Sequence, residues 1–269
     1  MAITEKLGEQ FNAIHKVIWI ILLPVILDIG ELYFFERIFH WEYMPVTKLF
    51  SLKLGFISAP PSIRYILEDF PSLIFQYNTG TFRGVITQIN LTNMLLLLSV
   101  VLVTSFLDSG YLAVISQAGR KRVNCKDFFI EGNRLWFKFF ILALLKVIPT
   151  LLALIKKEFA YFSLVTVVFV YVQYSIVVDH VSLKDNFKLG ISFLLNNLGL
   201  SFRMGFSFGF LFSIAGIFIC FLTRSGFNGI VLGSMITAYF GAVMNKAVLE
   251  IYREVSEKQS KMVQEISVI

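Results

Sequence analysis

The segments "VNCKDFF" (residues 123–129) and "VSLKDNF" (residues 181–187) are nearly the same, and each follows an apolar stretch of the chain. Asn124 and Ser182 stand where a helix N-cap belongs, and an aspartate follows each of them three residues later. A side-chain oxygen at the cap and an acid in the first turn satisfy free backbone amides and suit the helix dipole. Both segments therefore predict the start of a capped amphipathic helix lying at the membrane surface.

The likeness of the two segments extends beyond the caps. Apolar residues continue at helical spacing after each cap, and Gly132 and Gly190 occupy matching positions. The unit would be a span, a surface helix and a second span, covering residues 91–155 and then 160–222. Two copies in one orientation predict a parallel internal repeat, related by an axis along the membrane normal. The alternative is that any inner loop favours a capped amphipathic helix, without duplication.

The composition indicates a membrane protein. Of the 269 residues 57% are hydrophobic and only 16% are charged, whereas soluble domains carry about 25% charged residues. A helix needs about 20 apolar residues to span the hydrocarbon. The predicted fold is an all-α, polytopic integral membrane helical bundle, a single domain with about six transmembrane helices and two cytoplasmic amphipathic helices. The candidate spans are residues 16–36, 91–115, 137–155, 160–178, 203–222 and 227–248.

The distribution of lysine and arginine predicts the orientation in the cell membrane. Cytoplasmic loops carry an excess of these residues, and this bias places both termini in the cytoplasm. Residues 37–90 then form an outer loop, and residues 249–269 form a cytoplasmic helical tail. The basic cluster of the inner loop could also bind anionic lipid head groups, which is compatible with this topology; a nucleic-acid partner is not expected. That cluster consists of Arg120, Lys121, Arg122 and Lys126.

The outer loop is not simply hydrophilic. Residues 58–75 read "SAPPSIRYILEDFPSLIF", in which prolines flank a short helix with an apolar face. Residues 46–57 are also apolar, with scattered lysines. Both stretches are typical of interfacial or re-entrant helices, which would cap the outer mouth of the bundle.

Small residues recur at every fourth position in the last two candidate spans. Such ridges let two helix backbones approach closely, so that dispersion contacts replace the missing hydrophobic drive. We expect the two spans to pack on each other through these ridges, and dimerisation through the same ridges is the alternative. The fifth span carries Gly205, Gly209 and Ser213, and the sixth carries Gly229, Gly233, Thr237 and Gly241.

Several polar residues fall inside the apolar spans. A charge at mid-bilayer costs on the order of 3 kcal/mol on insertion scales, so such residues usually face the bundle interior and pair. Asp108 and Lys146 lie at similar depths in neighbouring spans, and we expect them to form an ion pair. The functional interpretation is a polar chamber for a substrate or ion, and the alternative is a buried pair that fixes helix register. The candidate chamber residues are Asp28, Glu31, Asp108, Lys146 and Gln173.

No catalytic or metal-binding constellation is evident in the sequence. His15, His40 and His180 fall at different ends or sides of the predicted topology, and Cys125 and Cys220 at opposite ends of the bilayer. No nucleotide-binding, metalloprotease or serine-hydrolase motif occurs. We therefore expect a protein that is not an enzyme and that uses no metal and no cofactor.

The apolar span, the capped stretch "VSLKDNFKLGISFLLNNLG" (residues 181–199) and the following span resemble a known arrangement. It is the multi-pass membrane domain fused to some bacterial glycerophosphodiester phosphodiesterases, and several uncharacterised prokaryotic integral membrane families are similar. The resemblance covers roughly residues 91–250. It implies a membrane fold and transfers no active site, because the phosphodiesterase barrel is absent.

Two hypotheses for function follow from the sequence. The first is a transport-related protein or membrane scaffold that acts through a polar intramembrane cavity or lipid contacts. The second is a subunit of a larger envelope complex, recruited through the basic inner loop or the C-terminal helix, with a protein partner or a second copy of the chain. A lipid-modifying enzyme has no supporting residues.

Overall fold

The computed structural model describes residues 3–40, 42–44, 52–53, 55–72, 76–78, 81–86, 88–156, 158 and 166–267. These residues form a helical bundle with one short β-hairpin, β1 (Gln76–Asn78) and β2 (Thr81–Arg83), and 3₁₀ turns at Ile18–Ile21 and Ile63–Tyr65. The helices are α1 (Ile3–His15), α2 (Leu22–Phe39), α3 (Leu91–Gln117), α4 (Cys125–Ile155), α5 (Val170–Val178), α6 (Leu183–Asn196), α7 (Leu198–Thr223) and α8 (Phe227–Ser267).

Four helical stretches are long and apolar enough to cross a membrane: Ile18–Phe39, Leu91–Gln117, Leu198–Thr223 and Phe227–Gln259. Large apolar side chains on several of them stay exposed, as expected of surfaces that face lipid chains. The composition predicted a membrane protein, and these four helices agree with that prediction. Predicted span 137–155 lies within α4, and part of predicted span 160–178 falls outside the described residues. A count of six spans stays a prediction.

The predicted helix starts are confirmed, but one predicted boundary is wrong. The backbone amide of Asn124 donates to Asp127 Oδ2 at 2.7 Å, and the amide of Asp185 donates to Ser182 Oγ at 3.2 Å. The first capped helix is not a separate surface helix, because α4 continues without a break from its cap into the predicted third span. The second is separate, since Asn197 leaves the helical conformation between α6 and α7.

The glycines that match between the two copies make equivalent contacts. In the α3–α4 hairpin, the carbonyl of Gly132 accepts from Ser109 Oγ at 3.0 Å, and the Gly110 backbone lies beside it. In the α5–α6 hairpin, a Cβ added at Gly190 would meet Val172 Cα at 2.7 Å. Each glycine thus allows its helix to pack closely on the preceding helix. Duplication of the whole unit stays a prediction.

Helix α8 is the central element of the bundle, and α1, α2 and α7 all pack on it. Its middle is fully enclosed: Ala242, Ala247 and Leu249 have no exposed surface. At ~1.5 Å rise per residue, its 41 residues extend about 60 Å. This is twice the ~30 Å of a bilayer's hydrocarbon layer, so the helix reaches well beyond the apolar core.

Candidate functional site: a loop inserted among the helices

A stretch of irregular backbone occupies the interior of the bundle. Residues 55–72, here called the inserted loop, have only one helical turn, Ile63–Tyr65. Ile63 and Phe70 within it are completely buried, and Leu67 is 2% exposed. The sequence predicted interfacial or re-entrant helices that cap the outer mouth; the observed segment is mostly not helical, and it enters the bundle.

One arm of the inserted loop descends along α7. The backbone amide of Lys53, just before the loop, donates to Ser213 Oγ at 2.7 Å. The amide of Gly55 then donates to the carbonyl of Gly205 at 3.1 Å, eight residues nearer the start of α7. Gly55 has a φ of 105°, a conformation that favours glycine. The small-residue ridge of α7 therefore receives the loop.

The other arm ascends along α8. A Cβ added at Gly241 would meet Pro61 Cγ at 2.8 Å, and one added at Gly233 would meet Ile63 Cδ1 at 3.1 Å. At the same ridge, Thr237 Oγ1 donates to the carbonyl of Gly233 at 2.8 Å and is buried. Close approach was predicted at these positions. At Gly241 the partner is the loop, whereas a Cβ added at Gly233 would also meet Ile219 Cγ2 of α7 at 3.0 Å.

Direct packing between α7 and α8 through a small residue occurs where the two helices join. At Gly229 a Cβ would collide with the carbonyl of Leu222, so glycine is required there for the tight hairpin. For Gly209 the structure gives a bond within α7, its carbonyl accepting from Ser213 Oγ at 2.8 Å. The expected helix-to-helix contact is thus realised at Gly229 and Gly233, in the part of the ridge next to the hairpin turn, and the inserted loop contacts Gly233 and Gly241.

The tip of the loop reaches a residue far along α8. The carbonyl of Ser58 accepts from Asn245 Nδ2 at 3.0 Å. Asn245 follows Phe227, the first residue of α8, by 18 positions, which corresponds to about 27 Å along the helix. This distance is comparable with the ~30 Å thickness of a bilayer's hydrocarbon layer.

Two acidic residues of α2 hold the ascending arm. Asp28, 4% exposed, accepts from Ser62 Oγ at 2.6 Å, from the Ile63 amide at 2.9 Å and from Ser234 Oγ of α8 at 3.2 Å. One turn later, Glu31 pairs with Arg64 and accepts from Ser72 Oγ at 3.1 Å. Asp28 and Glu31 therefore attach the loop to the bundle.

Other predicted chamber residues form a second group. Lys146 Nζ donates to Gln173 Oε1 at 3.3 Å. The expected Asp108–Lys146 salt bridge is absent among the described residues, although the two charges are close enough to interact. No contact that the structure describes joins this group to Asp28 and Glu31. The five residues are therefore divided between two places, whereas the sequence suggested one chamber.

A row of polar side chains continues from the loop tip towards the far end of α8. Tyr174 donates to Asn245 Oδ1 at 2.9 Å, and Asp179 Oδ2 accepts from Ser175 Oγ at 2.6 Å and from the Tyr252 hydroxyl at 2.7 Å. These five residues are called the polar row. Tyr174 and Ser175 have no exposed surface, although they belong to an apolar helix.

Sequence reasoning did not identify the polar row. The detectable signal is that hydroxyl groups recur at helical spacing in "VYVQYSIVVDH" (residues 170–180), at Tyr171, Tyr174 and Ser175. Another buried hydroxyl, that of Tyr111, lies near Asn245 and has no hydrogen-bond partner among the described residues. Asn245 was included in the last span, but its contact with Ser58 depends on the tertiary fold.

The basic cluster divides into two parts. Arg120 and Lys121 line a small cavity at the end of the bundle, together with Arg134, His180 and Arg253. Arg122 and Lys126 are exposed and do not line it.

The remaining predicted absences concern metal ions and disulfides. No group of three metal-ligating side chains occurs in the described part of the chain. Cys125 and Cys220 form no disulfide in the described part of the chain. Neither finding tests whether the protein has catalytic activity.

Comparisons with protein-family models, with curated proteins and with solved structures gave no match.

Proposed function

We propose that this chain is a multi-pass membrane transport protein for a small cation or a proton, with its pathway along the inserted loop and the polar row. The contact between Ser58 and Asn245, about 27 Å from the start of α8, carries the proposal. Irregular backbone at membrane depth is tolerated where it is buried in protein or lines a water-filled cavity, as in re-entrant loops and filters. Such a loop is typical of channels and transporters.

The chemistry of the buried side chains favours a cation or a proton over an anion. Asp28 contacts the middle of the inserted loop, at Ser62 and Ile63, and Asp179 lies at the far end of the polar row. Neither carboxylate has a salt-bridge partner within 4.0 Å in the described part of the chain; hydroxyl and amide donors surround them. Acidic groups within membrane segments mark ion pathways and proton relays.

Hydroxyl and amide groups lie between the loop tip and Asp179. Tyr174 and Asn245 are bonded to each other, and Ser175 is bonded to Asp179. Such groups both donate and accept, so a proton can be exchanged along them, or a cation can meet successive oxygen ligands. The pathway would use the carbonyl of Ser58 as the link between loop and row.

The test is a flux assay with purified protein in sealed liposomes. Protons are driven by a potassium diffusion potential and reported by a trapped pH dye. In separate runs without that potential, an inward gradient of labelled sodium or potassium is imposed and the label taken up is counted. Wild-type protein should carry one of these ions faster than empty liposomes. Asp28→Asn should lower the rate about tenfold, which corresponds to ~1.4 kcal/mol in barrier height.

The matched control is Glu9→Gln, which removes one negative charge from an exposed side chain. Its flux should equal that of the wild type. Wild-type liposomes that move no ion faster than empty ones would overturn the proposal, provided that the protein in them keeps its melting temperature.

A second candidate function rests on the length of α8. The helix continues to Ser267, far past the polar row, and offers a surface outside the apolar layer. That surface favours a subunit of a larger envelope complex. Cross-linking in native membranes tests it: a partner should be captured by the full chain and lost after deletion of residues 258–269. A chain that always migrates alone would exclude this function.

A further inference from the structure

A cavity of about 200 Å³ lies where the ends of α3, α4, α5 and α8 meet. Its lining includes Arg120 and Lys121 from the turn after α3, Arg134 from α4, His180 after α5 and Arg253 from α8. No aspartate or glutamate lines it. The volume is several times the ~30 Å³ that one water molecule takes in the liquid, so a small polyatomic group fits.

The charges around the cavity do not balance. Glu250 forms ion pairs with three cations: it accepts from Arg120 and Lys246 at 2.6 Å each, and from Arg253 at 3.2 Å. Glu131 forms an ion pair with Arg134, with 2.6 Å between Glu131 Oε2 and Arg134 Nη2. Lys121, also in the lining, has no ion pair among the described residues.

The lining therefore carries four cations, Arg120, Lys121, Arg134 and Arg253, and no carboxylate. The carboxylates that act on these cations or on His180 are not part of the lining: Glu250, Glu131, Asp179 and Glu257. Other elements hold these charges in place. Lys246, 1% exposed, donates from Nζ to the carbonyl of Ser116 at 2.9 Å, and Arg253 donates to Ser116 Oγ at 3.1 Å.

We propose that this cavity binds a phosphate group. Guanidinium groups match phosphate geometry with two parallel hydrogen bonds, and lysine adds a point charge. One phosphate dianion would offset two of the four positive charges in the lining. The proposal is independent of ion transport, because none of the cavity residues belongs to the inserted loop or the polar row.

Two sources could supply this group. A phosphate ester could enter from the aqueous phase, or the head group of an anionic lipid could enter from the bilayer surface, where basic pockets between helices bind such head groups. Purified protein in detergent is therefore titrated calorimetrically with inorganic phosphate and, separately, with short-chain phosphatidic acid. Short-chain phosphatidylcholine, a zwitterionic phosphodiester with no net charge, is the comparison.

The variant pair Lys121→Gln with Arg134→Gln tests the cavity. Lys121 is exposed, and the side chain of Arg134 is 52% exposed, so the fold should persist when both are replaced. Loss of two charged hydrogen bonds should weaken phosphate binding at least tenfold. The matched control is Arg122→Gln with Lys126→Gln, which removes the same charge from exposed positions outside the cavity.

Each outcome decides a question. Binding of phosphate and phosphatidic acid alike, weakened only in the cavity pair, supports the proposal with either source; binding of phosphatidic acid alone assigns the site to lipid. Equal weakening in both variant pairs would overturn the site in favour of a diffuse basic surface. Failure of folded wild-type protein to bind either probe would also overturn it.

Discussion

The carboxylate of Asp28 in α2 accepts a hydrogen bond of 2.9 Å from the backbone amide of Ile63, and this bond anchors a loop that lies inside the helix bundle. The same carboxylate also bonds Ser62 and Ser234. One side chain thus joins α2, the inserted loop and α8. Its importance can be measured apart from any transport activity.

Asp28→Ala should destabilise the protein by about 2 kcal/mol, since three hydrogen bonds inside a membrane protein contribute on average ~0.6 kcal/mol each. Unfolding of the purified protein in mixed micelles gives the free energy. Glu9→Ala, at an exposed position, should change it little. A stability unchanged in Asp28→Ala would show that the loop is held by other contacts.

Gly241→Ala should displace the loop. The new methyl group would lie within 2.8 Å of Pro61 Cγ and 3.0 Å of Ile57 Cδ1, and overpacking of this kind costs about 1–3 kcal/mol. Gly199→Ala is the control, since nothing lies within 4 Å of a Cβ there and alanine favours the helix. Equal melting temperatures for the two variants would argue against a packed loop at this position.

A cysteine at position 58 should report the depth of the loop. Ser58 is an exposed residue beside Asn245, so Ser58→Cys, in a chain with Cys125 and Cys220 replaced by serine, should react with a small membrane-impermeant thiol reagent. Reaction should occur from the side on which native Cys125 is labelled. Labelling only from the opposite side would place the tip at the other membrane surface.

Stability should fall in mild acid because of His180. Burial lowers the pKa of this histidine below 6.5, and nearby Arg134 and Lys138 lower it further, against the opposing effect of Glu131 and Asp179. The unfolded chain therefore binds the proton more readily, so stability is full above about pH 6.5 and declines as pH falls through that value. Melting temperatures from pH 5 to 8 should show a shallower decline in His180→Gln. An identical pH dependence in the variant would exclude His180 as a source of the decline.

Local sequence signals predicted the features that depend on neighbouring residues. The caps at Asn124 and Ser182 follow from residues three positions apart, and the apolar runs indicated the membrane helices. The ridges of glycine indicated that something approaches closely. They could not identify the inserted loop as the partner, because a small residue allows close approach without specifying which segment approaches.

The pattern of residues along the sequence could not predict contacts between distant parts of the chain. Asn245 and Ser58 are separated by 187 positions, and nothing near either residue specifies the other. The depth argument brought Asp108 and Lys146 to one level in the bilayer. Depth does not fix the direction of a side chain around its helix, and Lys146 reaches Gln173 on α5.

The position of the inserted loop has a consequence for biosynthesis. The loop is made early in translation, yet Ser234, Gly241 and Asn245, against which it rests, belong to the last helix. Until α8 leaves the ribosome, the loop lacks one wall of its site and stays accessible to proteases. Nascent chains arrested before residue 227 should be cut within the loop, whereas the finished protein should resist cleavage there.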